Sequence, residues 1–513
     1  MGSLTRTKIW FWAPLLFMSL AMPGPSCAEF DFARTYQSVS TGSLVGSHMV
    51  PHVDGDIALS GYYSGSAVFG GREMDANDEA SQGFLMRLTR EGSVQWCREI
   101  RGGKSDQRAH GVAVDKAGNS YVTGEATGEL LIEGGEAQDV SFSRGGKFMF
   151  VAKYDPDGNL LWAKPAFSSK EIVGEVVGRR VVVDGLGNVY VAGLFVKDAK
   201  LGDESISGNP GALWSAFVAK YNSSGTIQWA RAVNTYPTGD EDALSQFNAL
   251  AVDGGGAVTV AGVFSGKILV GANQFTSSGA NDAMVVRYDG ADGSVSWAGK
   301  AGGTGDDGIH GLAVDGSGGV LAVGHFSDTA GFSGSPTIGQ IDSLGETDGF
   351  LARYEAEGNF SWVKGIGGPG EDAAFGVAIH ETGRIAVSGA FSKEIKIGQT
   401  TLTSRGETDV FVTRHLPSGD IDAAFAGGGP KADLGGSLSW IGDWLVVGGS
   451  FRGPASFGNM NIGSTATLPG GDLFLAILGD ALGPGDIRGD MTHNGRVGLE
   501  DAIWIIQFLT FGR

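Results

Sequence analysis

A short segment that alternates large apolar residues with small or charged ones recurs along the chain. Its copies begin at Phe84, Phe150, Phe217, Met284, Phe350, Phe411 and Phe474, in sequences such as Phe-Val-Ala-Lys-Tyr. Successive copies begin 66, 67, 67, 66, 61 and 63 residues apart. Since successive side chains of a strand point to opposite faces, the period of two predicts a β-strand, and the regular spacing predicts a repeat architecture.

Three further strands accompany each copy. A second strand ends in a glycine that an aromatic residue usually follows two positions later, at Gly61, Gly124, Gly193, Gly262, Gly324, Gly389 and Gly449. An apolar first strand such as Val112-Ala-Val-Asp115 precedes it and is weaker in the first and last copies. A fourth strand follows the repeated segment, around Trp96, Trp162, Trp229, Trp297, Trp362 and Phe425. Four strands joined by Gly, Asp and Asn turns predict one antiparallel blade per repeat.

The seventh copy lacks a fourth strand of its own, because the chain after it runs into the Gly/Pro-rich segment 479–485. Residues Phe32–Tyr36 align with the fourth-strand segment Trp229–Val233 and stand before the first apolar strand. Borrowing this strand would close the ring and pair an exposed edge. The predicted fold is therefore all-β, a seven-bladed β-propeller of four-stranded antiparallel blades over residues 29–480, closed by an N-terminal strand.

The motifs together resemble a known family. The apolar-Ala-Val-Asp-x-x-Gly-Asn segment, the following Tyr-Val-x-Gly, and Phe-Val-Ala-Lys-Tyr-Asp with Gly-x-x-x-Trp-Ala are similar to the SBBP repeat, a seven-bladed β-propeller repeat of bacterial extracellular proteins. The resemblance covers about residues 30 to 480. It implies the fold, and it says little about function because architecture alone does not define activity.

The N-terminus has the features of a secretory signal peptide over residues 1–28. Arg6 and Lys8 provide a basic region, an apolar stretch follows, and Ser26-Cys27-Ala28 gives a small-x-small cleavage site. The mature chain would begin at Glu29 and be secreted or attached at the cell surface. Lipid modification of Cys27 is the alternative, although Gly24-Pro25-Ser26 lacks the usual aliphatic residue.

Charge and cysteine content narrow the classes of partner. Removal of Arg6 and Lys8 takes the net charge from −20 to −22, and such acidity opposes binding to nucleic acid. No later window holds 18 consecutive apolar residues, so no transmembrane segment is predicted after the signal. Only Cys97 remains after cleavage, so an intramolecular disulfide is impossible and a buried, inert thiol is expected.

The loop that leads from each predicted fourth strand to the next first strand is acidic. These loops contain Asp106, Asp240, Asp242, Asp306, Asp307, Glu371 and Asp372. In a propeller they emerge on one face beside the central channel, so the carboxylates could form a ligand face for a hard cation or a basic or polyhydroxylated ligand. The other interpretation is that Asp and Gly simply form good turns.

Histidines give no metal signature. No pair has the spacing of a zinc site. His110 and His310 share one repeat position in the first strand, where other blades have Asn248 or Phe375, so we interpret them as residues that fill the inner strand.

The C-terminal segment differs from the repeats. After a Gly/Pro linker at 481–485, residues 486–513 contain a loop with Asp490, Thr492, Asn494 and Asp501 at positions 1, 3, 5 and 12, and an apolar helix is expected after it. Arg496 would contribute its backbone carbonyl. The segment resembles one repeat of a type I dockerin, which implies weak calcium binding and a cohesin-like or cell-surface partner. Departures at Thr492 and Gly498, and the single copy, leave open a decayed loop that serves as a helical cap.

These features favour a secreted or cell-surface binding or scaffold propeller over an enzyme, because no catalytic constellation is recognisable. A protein or glycan ligand would bind the acidic loop face, and the tail would serve attachment or assembly. The alternative is an extracellular glycan-active hydrolase or lyase that uses two channel carboxylates as acid and base. A purely structural surface protein is a third possibility.

Overall fold

The computed structural model describes residues 32–36, 38–76, 80–90, 92–169, 174–238, 242–333, 339–458, 460–463 and 471–478. These residues form an all-β fold of antiparallel sheets. No helix occurs among them, and accordingly none has the length and apolar composition needed to cross a membrane. The predicted signal segment, the linker at 481–485 and the tail 486–513 lie outside the described residues.

Each copy of the sequence repeat forms one unit of the fold, and we number the units 1 to 7 along the chain. The first strand of the chain is β1 (Phe32–Tyr36), which pairs into unit 7. Unit 1 contains β2 (Ser38–Pro51), β3 (Ile57–Phe69), β4 (Arg72–Asp75), β5 (Gln82–Leu88) and β6 (Val94–Arg101), and unit 2 contains β7 (Gln107–Val114), β8 (Ser120–Ile132), β9 (Val140–Tyr154) and β10 (Leu160–Phe167). Units 3 and 4 contain β11 (Val176–Val183), β12 (Val189–Phe195), β13 (Asp198–Leu201), β14 (Glu204–Ser207), β15 (Ala212–Tyr221), β16 (Ile227–Ala232), the short β17 (Asn234–Tyr236), then β18 (Ala243–Val252), β19 (Val258–Ser265), β20 (Lys267–Val270), β21 (Asn273–Thr276), β22 (Asp282–Tyr288) and β23 (Val295–Gly303). Units 5 to 7 contain β24 (Gly308–Val314), β25 (Val320–Phe326), β26 (Thr329–Phe332), β27 (Gly339–Asp342), β28 (Asp348–Tyr354) and β29 (Phe360–Ile366), then β30 (Asp372–Ile379), β31 (Ile385–Phe391), β32 (Glu394–Ile397), β33 (Thr400–Thr403), β34 (Asp409–His415) and β35 (Ile421–Gly428), then β36 (Leu434–Ile441), β37 (Trp444–Phe451), β38 (Ala455–Phe457), β39 (Met460–Ile462) and β40 (Asp472–Leu478).

Within a unit, the first strand pairs with the second, the second with the third and the third with the fourth, all antiparallel. In unit 5 these are β24, β25, β28 and β29, and the other units repeat the order. Unit 7 has first, second and third strands in β36, β37 and β40, and its outer partner is β1 from the N-terminus. Ala33 lies opposite Ala476 and Thr35 opposite Phe474, which is the strand pairing that the sequence predicts.

A short hairpin between the second and third strands of most units was not predicted from the sequence. It links neighbouring units through the backbone, because β13 pairs with the fourth strand β10 of the unit before it, β26 with β23, and β38 with β35. In unit 2 the extended end of β8 does the same with β6. Backbone hydrogen bonds of the hairpins therefore supplement side-chain packing between units.

The tryptophans of the fourth strands form a repeated contact between units. The indole N–H of Trp96 donates to Pro156 O of the next unit at 2.9 Å, and Trp297 donates to Ala356 O at 2.9 Å. The ring lies against a glycine of the same turn, such as Gly158 or Gly358, whose φ of 80° or 87° belongs to the left-handed region that favours glycine. Trp229 is the most deeply buried of these fourth-strand tryptophans, at 4% exposed.

Candidate functional site

Every first strand contains a β-bulge at the same place. The register between first and second strands shifts in each unit, for example between Ala109 and Gly111 on β7 and between Ile309 and Gly311 on β24. The carbonyl before the bulge presses on the second-strand glycine, since a Cβ on Gly124 would lie 1.9 Å from Arg108 O. Bulges often redirect a side chain at functional sites.

The residues at the bulge differ from unit to unit, and we call them the bulge row. In units 1 to 7 they are Ser47, His110, Arg179, Asn248, His310, Phe375 and the pair Gly436–Ser437. The row therefore has constant backbone geometry and variable chemistry. Binding surfaces often combine a rigid scaffold with variable side chains that determine specificity.

First strands of consecutive units lie side by side, and β36 also lies beside β2. We call the surface that these strands form the first-strand surface. Contacts across it involve the bulge row: Asn248 Nδ2 donates to Ile309 O at 3.5 Å, and Arg180 Nη1 donates to His110 O at 3.4 Å. The bulge row is thus a continuous feature along neighbouring units.

A cluster of charged residues lies at one end of the first-strand surface in units 1 to 3. Arg108 stacks over the ring of Tyr62 at 5.1 Å and donates to Asp106 at 3.0 Å. Glu125 lies 3.4 Å from Lys147 Nζ and 3.8 Å from His110 Nε2. Burial raises the pKa of Glu125, but His110, Lys147 and Arg179 outweigh it and lower the pKa well below the usual range, so this carboxylate is ionised.

Unit 5 contributes a pair of imidazoles to the same surface. His310 Nε2 and His325 Nδ1 are 2.8 Å apart, and the two rings stack at 4.9 Å. Burial, the neighbouring His325 and the charge of Arg180 lower the pKa of His310 to about 3, so its ring is neutral at physiological pH. Phe375 of unit 6 lies against His310 at 5.2 Å, which closes the apolar side of this pair.

The acidic residues predicted to form a ligand face do not share one environment. Asp242 and Glu371 are exposed, and Asp106 and Asp306 are half-buried and accept hydrogen bonds from Ser81 and Asn281. Asp240 lies outside the described residues, as do the predicted calcium ligands Asp490, Thr492, Asn494, Arg496 and Asp501.

Asp307 and Asp372 are enclosed. Asp307 is 1% exposed and accepts from the backbone N–H groups of Gly303 and Ser327, while Asp372 is 2% exposed and accepts from Gly368 and Ser392. Each carboxyl is therefore bound to the backbone of its neighbouring loops. Burial and a neighbouring aspartate raise the pKa of both residues to about 7.

Groups elsewhere in the described residues are already engaged. A groove of about 720 Å³ beside β6 contains Arg72, Arg87 and Arg98, and each of them pairs with carboxylates or carbonyls. Cys97 is buried, and burial raises the pKa of its thiol to about 12, as expected for an inert cysteine. Among the described residues, no group of three or more His, Cys, Asp or Glu side chains could hold a metal ion.

Fold and site together define an all-β, propeller-like repeat protein. The family model for the SBBP β-propeller repeat matches residues 95–131, which run from β6 into β8. The chain is similar to this family over that segment.

The chain is also similar to parts of longer proteins. An uncharacterized WD repeat-containing protein of Acanthamoeba polyphaga mimivirus is 21% identical over 61% of this chain, and the regulatory protein FlaEY of Caulobacter vibrioides is 30% identical over 30% of it. The chain spans 26% and 15% of the length of these relatives. A virginiamycin B lyase structure from Staphylococcus aureus is 8% identical, with 87% of this chain and 99% of that chain covered at a TM-score of 0.37. Such a TM-score supports no functional comparison.

Sequence reasoning noted that His110 and His310 share a repeat position but missed the bulge row and the basic pair Arg179–Arg180. Two signals could have revealed them. The glycine that ends every second strand marks a close backbone approach, which a bulge produces. Two consecutive arginines inside the apolar strand Val176–Val183 break the pattern expected of a buried strand.

Proposed function

We propose that the seven units close into a seven-bladed β-propeller and that the protein is a binding or scaffold protein whose ligand contacts the first-strand surface and the acidic loops around it. Closure is supported by the pairing of β1 with β40 and by the position of β36 beside β2. In a closed ring, the first-strand surface lines a central channel.

The observation that carries the binding role is the convergence of unlike polar groups at one end of this surface. Tyr62, Arg108 and Glu125 come from units 1 and 2, and His325 and Asp306 come from unit 5. A few polar and aromatic groups that converge on a concave surface are typical of ligand sites. The exposed Asp242 and Glu371 would add contacts at the rim.

The glycan-active enzyme alternative requires two carboxyls that reach a substrate, one of them with a raised pKa. Asp307 and Asp372 have the raised pKa, but they are enclosed and bound to backbone N–H groups. Asp106 and Asp306, which are more accessible, have lowered pKa values: burial raises them, and hydrogen bonds and nearby positive groups outweigh it. The carboxyls with a raised pKa are therefore not the ones that a substrate could reach, which favours binding over hydrolysis.

Screening the mature chain on glycan, peptide and small-anion arrays tests the binding role. A ligand captured by the parent should be lost in the double variant Tyr62→Ala with Asp306→Ala. Leu186→Ala is the matched control, because Leu186 is 85% exposed in the hairpin turn at the opposite end of the strands. Equal capture by all three proteins would contradict a ligand site on this surface.

Ring closure has its own test. Removal of residues 29–37 deletes β1 and should expose the edge of β40, so the truncated protein should unfold at a markedly lower temperature. A truncated protein that melts like the parent would show that β1 does not close the ring.

We further propose that the protein is secreted or held at the cell surface after cleavage near Ala28, and that the tail is a weak calcium-binding, dockerin-like element for attachment. Asp490 and Asp501 are the only carboxylates at its side-chain ligand positions, so we expect the ~10⁻⁴ to 10⁻³ M affinity of extracellular modules. Calorimetric titration with calcium compares the mature chain with Asp490→Ala combined with Asp501→Ala. Identical heats would exclude this loop as a calcium site.

A further inference from the structure

Arg179 and Arg180 lie next to each other at the bulge of β11. The register shift between Gly178 and Arg180 leaves Arg179 without a partner on β12, and both arginines remain half-buried. A Cβ on Gly111 would lie 3.0 Å from the Cα of Arg180, so the first strands of units 2 and 3 touch at this point.

Neither guanidinium has a carboxylate within salt-bridge distance among the described residues. Arg180 donates only to the carbonyls of His110 and Arg179, at 3.4 and 3.1 Å. Burial and the charge of Arg179 lower the pKa of Arg180 to about 10, and no acidic group offsets this effect. The arginine nevertheless remains protonated at neutral pH.

Two buried nitrogens beside Arg180 form no hydrogen bond. They are the Nε of Arg179, which is a donor, and the Nε2 of His110, which lies 3.8 Å from the ionised carboxylate of Glu125. Buried donors without partners are rare in native proteins, and they commonly indicate a bound ion or water. Here both lie at neighbouring positions of the bulge row, in units 2 and 3.

The side chain of Arg180 acts electrostatically on both sides of the first-strand surface. Its charge contributes, after burial, to lowering the pKa of His48 on β2 and of His310 on β24 to about 3. The positions equivalent to Arg180 on β7, β24 and β30 are Gly111, Gly311 and Gly376, which carry no side chain. The three glycines leave space around the guanidinium of Arg180, and the charged group that acts on it is the adjacent Arg179.

From this geometry we propose that Arg179 and Arg180 bind one oxyanion group of the ligand, a carboxylate, sulfate or phosphate, with the planar guanidinium of Arg180 as its main contact. This inference rests on the proposed binding function and names the chemical class of its ligand. Guanidinium groups match the two oxygens of such anions and are readily placed in partly buried sites.

The surrounding charge limits the size of the anion. The whole chain has a net charge of −20, and Asp106, Asp242, Asp306 and Glu371 lie at the surface end of the first strands. A polyanion would be repelled by these carboxylates. The site fits a single charged group, either free or at the end of an otherwise neutral ligand.

Isothermal titration of the mature chain with sodium acetate, sulfate and phosphate at constant ionic strength tests this proposal. At least one anion should bind to the parent in a one-to-one ratio. The anion that binds most tightly identifies the charged group of the ligand. Arg180→Gln should weaken that binding roughly tenfold or more, since a charge-assisted hydrogen bond contributes about 1.5 to 3 kcal/mol. Arg180→Lys keeps the charge but loses the planar guanidinium, so its affinity should lie between those of the parent and Arg180→Gln.

Arg405→Gln is the matched control, because it removes the same charge from an exposed position and should leave binding unchanged. Without added anion, Arg180→Gln should melt at the same temperature as the parent or higher, since it removes an uncompensated charge. Absence of binding by all three anions, or equal binding by the parent and Arg180→Gln, overturns the site; equal losses in Arg405→Gln overturn it as well. A third outcome separates the two proposals. If Arg180→Gln loses anion binding but the Tyr62→Ala, Asp306→Ala variant captures the array ligand as well as the parent does, the anion site stands and only the proposed function is refuted.

Discussion

The junctions between units divide the molecule into two regions. At each of the six junctions between units that are consecutive in the chain, a residue two positions before the start of the repeated third-strand segment is matched by a residue near the start of the next first strand. The pairs are Gln82 with Gln107, Phe148 with Val176, Ser215 with Ser245, Asp282 with Asp307, Asp348 with Asp372, and Asp409 with Asp433. All of them are buried. The junctions up to unit 4 are neutral, whereas the three that follow each bury two aspartates.

The aspartates of a pair face each other across a glycine. A Cβ on Gly302 would lie 2.5 Å from Asp282 Oδ1 and 2.8 Å from Asp307 Oδ2, and Gly428 stands in the same relation to Asp409 and Asp433. One oxygen in each pair, the Oδ1 of Asp282, Asp348 or Asp409, has no hydrogen-bond partner. Two ionised carboxylates in such a site would repel each other, so one of them is favoured in the protonated form.

The two regions differ in the chemistry of the buried pair at each junction, while the backbone of the junction is the same. This fold therefore requires that the two residues of a pair suit each other, and it does not require one residue type. An amide pair, an apolar pair and a hydroxyl pair occupy the site in one region, and a pair of buried aspartates occupies it in the other. Of the two kinds of junction, only the acid pairs should respond to pH. The charged bulge residues Arg179 and Arg180 belong to the first region, so the proposed anion site and the acid pairs are located in different units.

The largest expected effect is therefore on the pH dependence of stability. Burial, the first cause, together with other nearby groups gives Asp307, Asp372 and Asp409 pKa values of about 7, against about 3.9 in the unfolded chain. The folded state thus keeps protons that the unfolded state releases, and the free energy of unfolding should fall as pH rises from about 4 to about 7. The neutral rings of His48 and His310, whose pKa values are lowered, contribute in the opposite direction, so we expect a net loss on the order of 4 kcal/mol between pH 5 and pH 8. Denaturant unfolding at both pH values measures it, and greater stability at pH 8 would contradict the proton-sharing pairs.

The tryptophan contact is shared by both regions and should be insensitive to pH. Trp229 is 4% exposed, lies against Gly293 of the next unit and donates to Gly290 O at 3.3 Å. Trp229→Ala should lower the free energy of unfolding by roughly 3 to 5 kcal/mol at pH 5 and pH 8 alike. A loss below about 1 kcal/mol would place this ring at the surface.

Introducing an acid into the neutral region should transfer the pH response. Gln107 is fully buried, and its amide donates to Thr127 O and Glu129 O at 3.0 and 2.9 Å. Gln107→Glu removes those donors and buries a carboxylate, so we expect a loss of about 3 kcal/mol at pH 8 and a smaller loss at pH 5. Equal losses at the two pH values would show that the acid is not held in its neutral form.

The smallest effect is expected when one acid of a pair becomes an amide. Asp348 Oδ2 accepts from Leu344 N at 2.7 Å, whereas its Oδ1 is free. In Asp348→Asn the amide N–H₂ can replace Oδ1 and donate to Asp372, which relieves the repulsion. We expect a gain of about 1 to 2 kcal/mol at pH 8 and almost none at pH 5. Destabilisation at pH 8 would mean that both carboxylates are needed in their ionised form.

The sequence predicted much of this fold because strand periodicity and repeat spacing are local properties. The third strands, the tryptophan-bearing fourth strands and the pairing of Phe32–Tyr36 with the last strand follow from them. The hairpins such as β13 with β14 were missed because their four-residue strands carry too few residues to show a period. Their pairing with the preceding unit is a tertiary property.

The candidate site was less predictable, for a physical reason. Asp306 and Asp307 are adjacent acids in the same loop, yet one reaches the surface and the other is enclosed. What separates them is which side of the strand each occupies and whether a neighbouring unit covers it. The same holds for Arg180, whose lack of a counter-charge depends on glycines in three other units.

Closure of the ring by the N-terminal strand is the central claim, and a cross-link tests it most directly. Ala33 and Ala476 lie opposite each other in the antiparallel pair of β1 and β40, a separation that suits a disulfide. Ala33→Cys with Ala476→Cys should oxidise to an intramolecular disulfide, detected by mass spectrometry of the non-reduced mature chain. Ala33→Cys with Leu475→Cys, one residue out of register and directed to the other face of the strand, should not. Absence of the cross-link in the first variant, or its equal formation in both, would contradict closure by this strand.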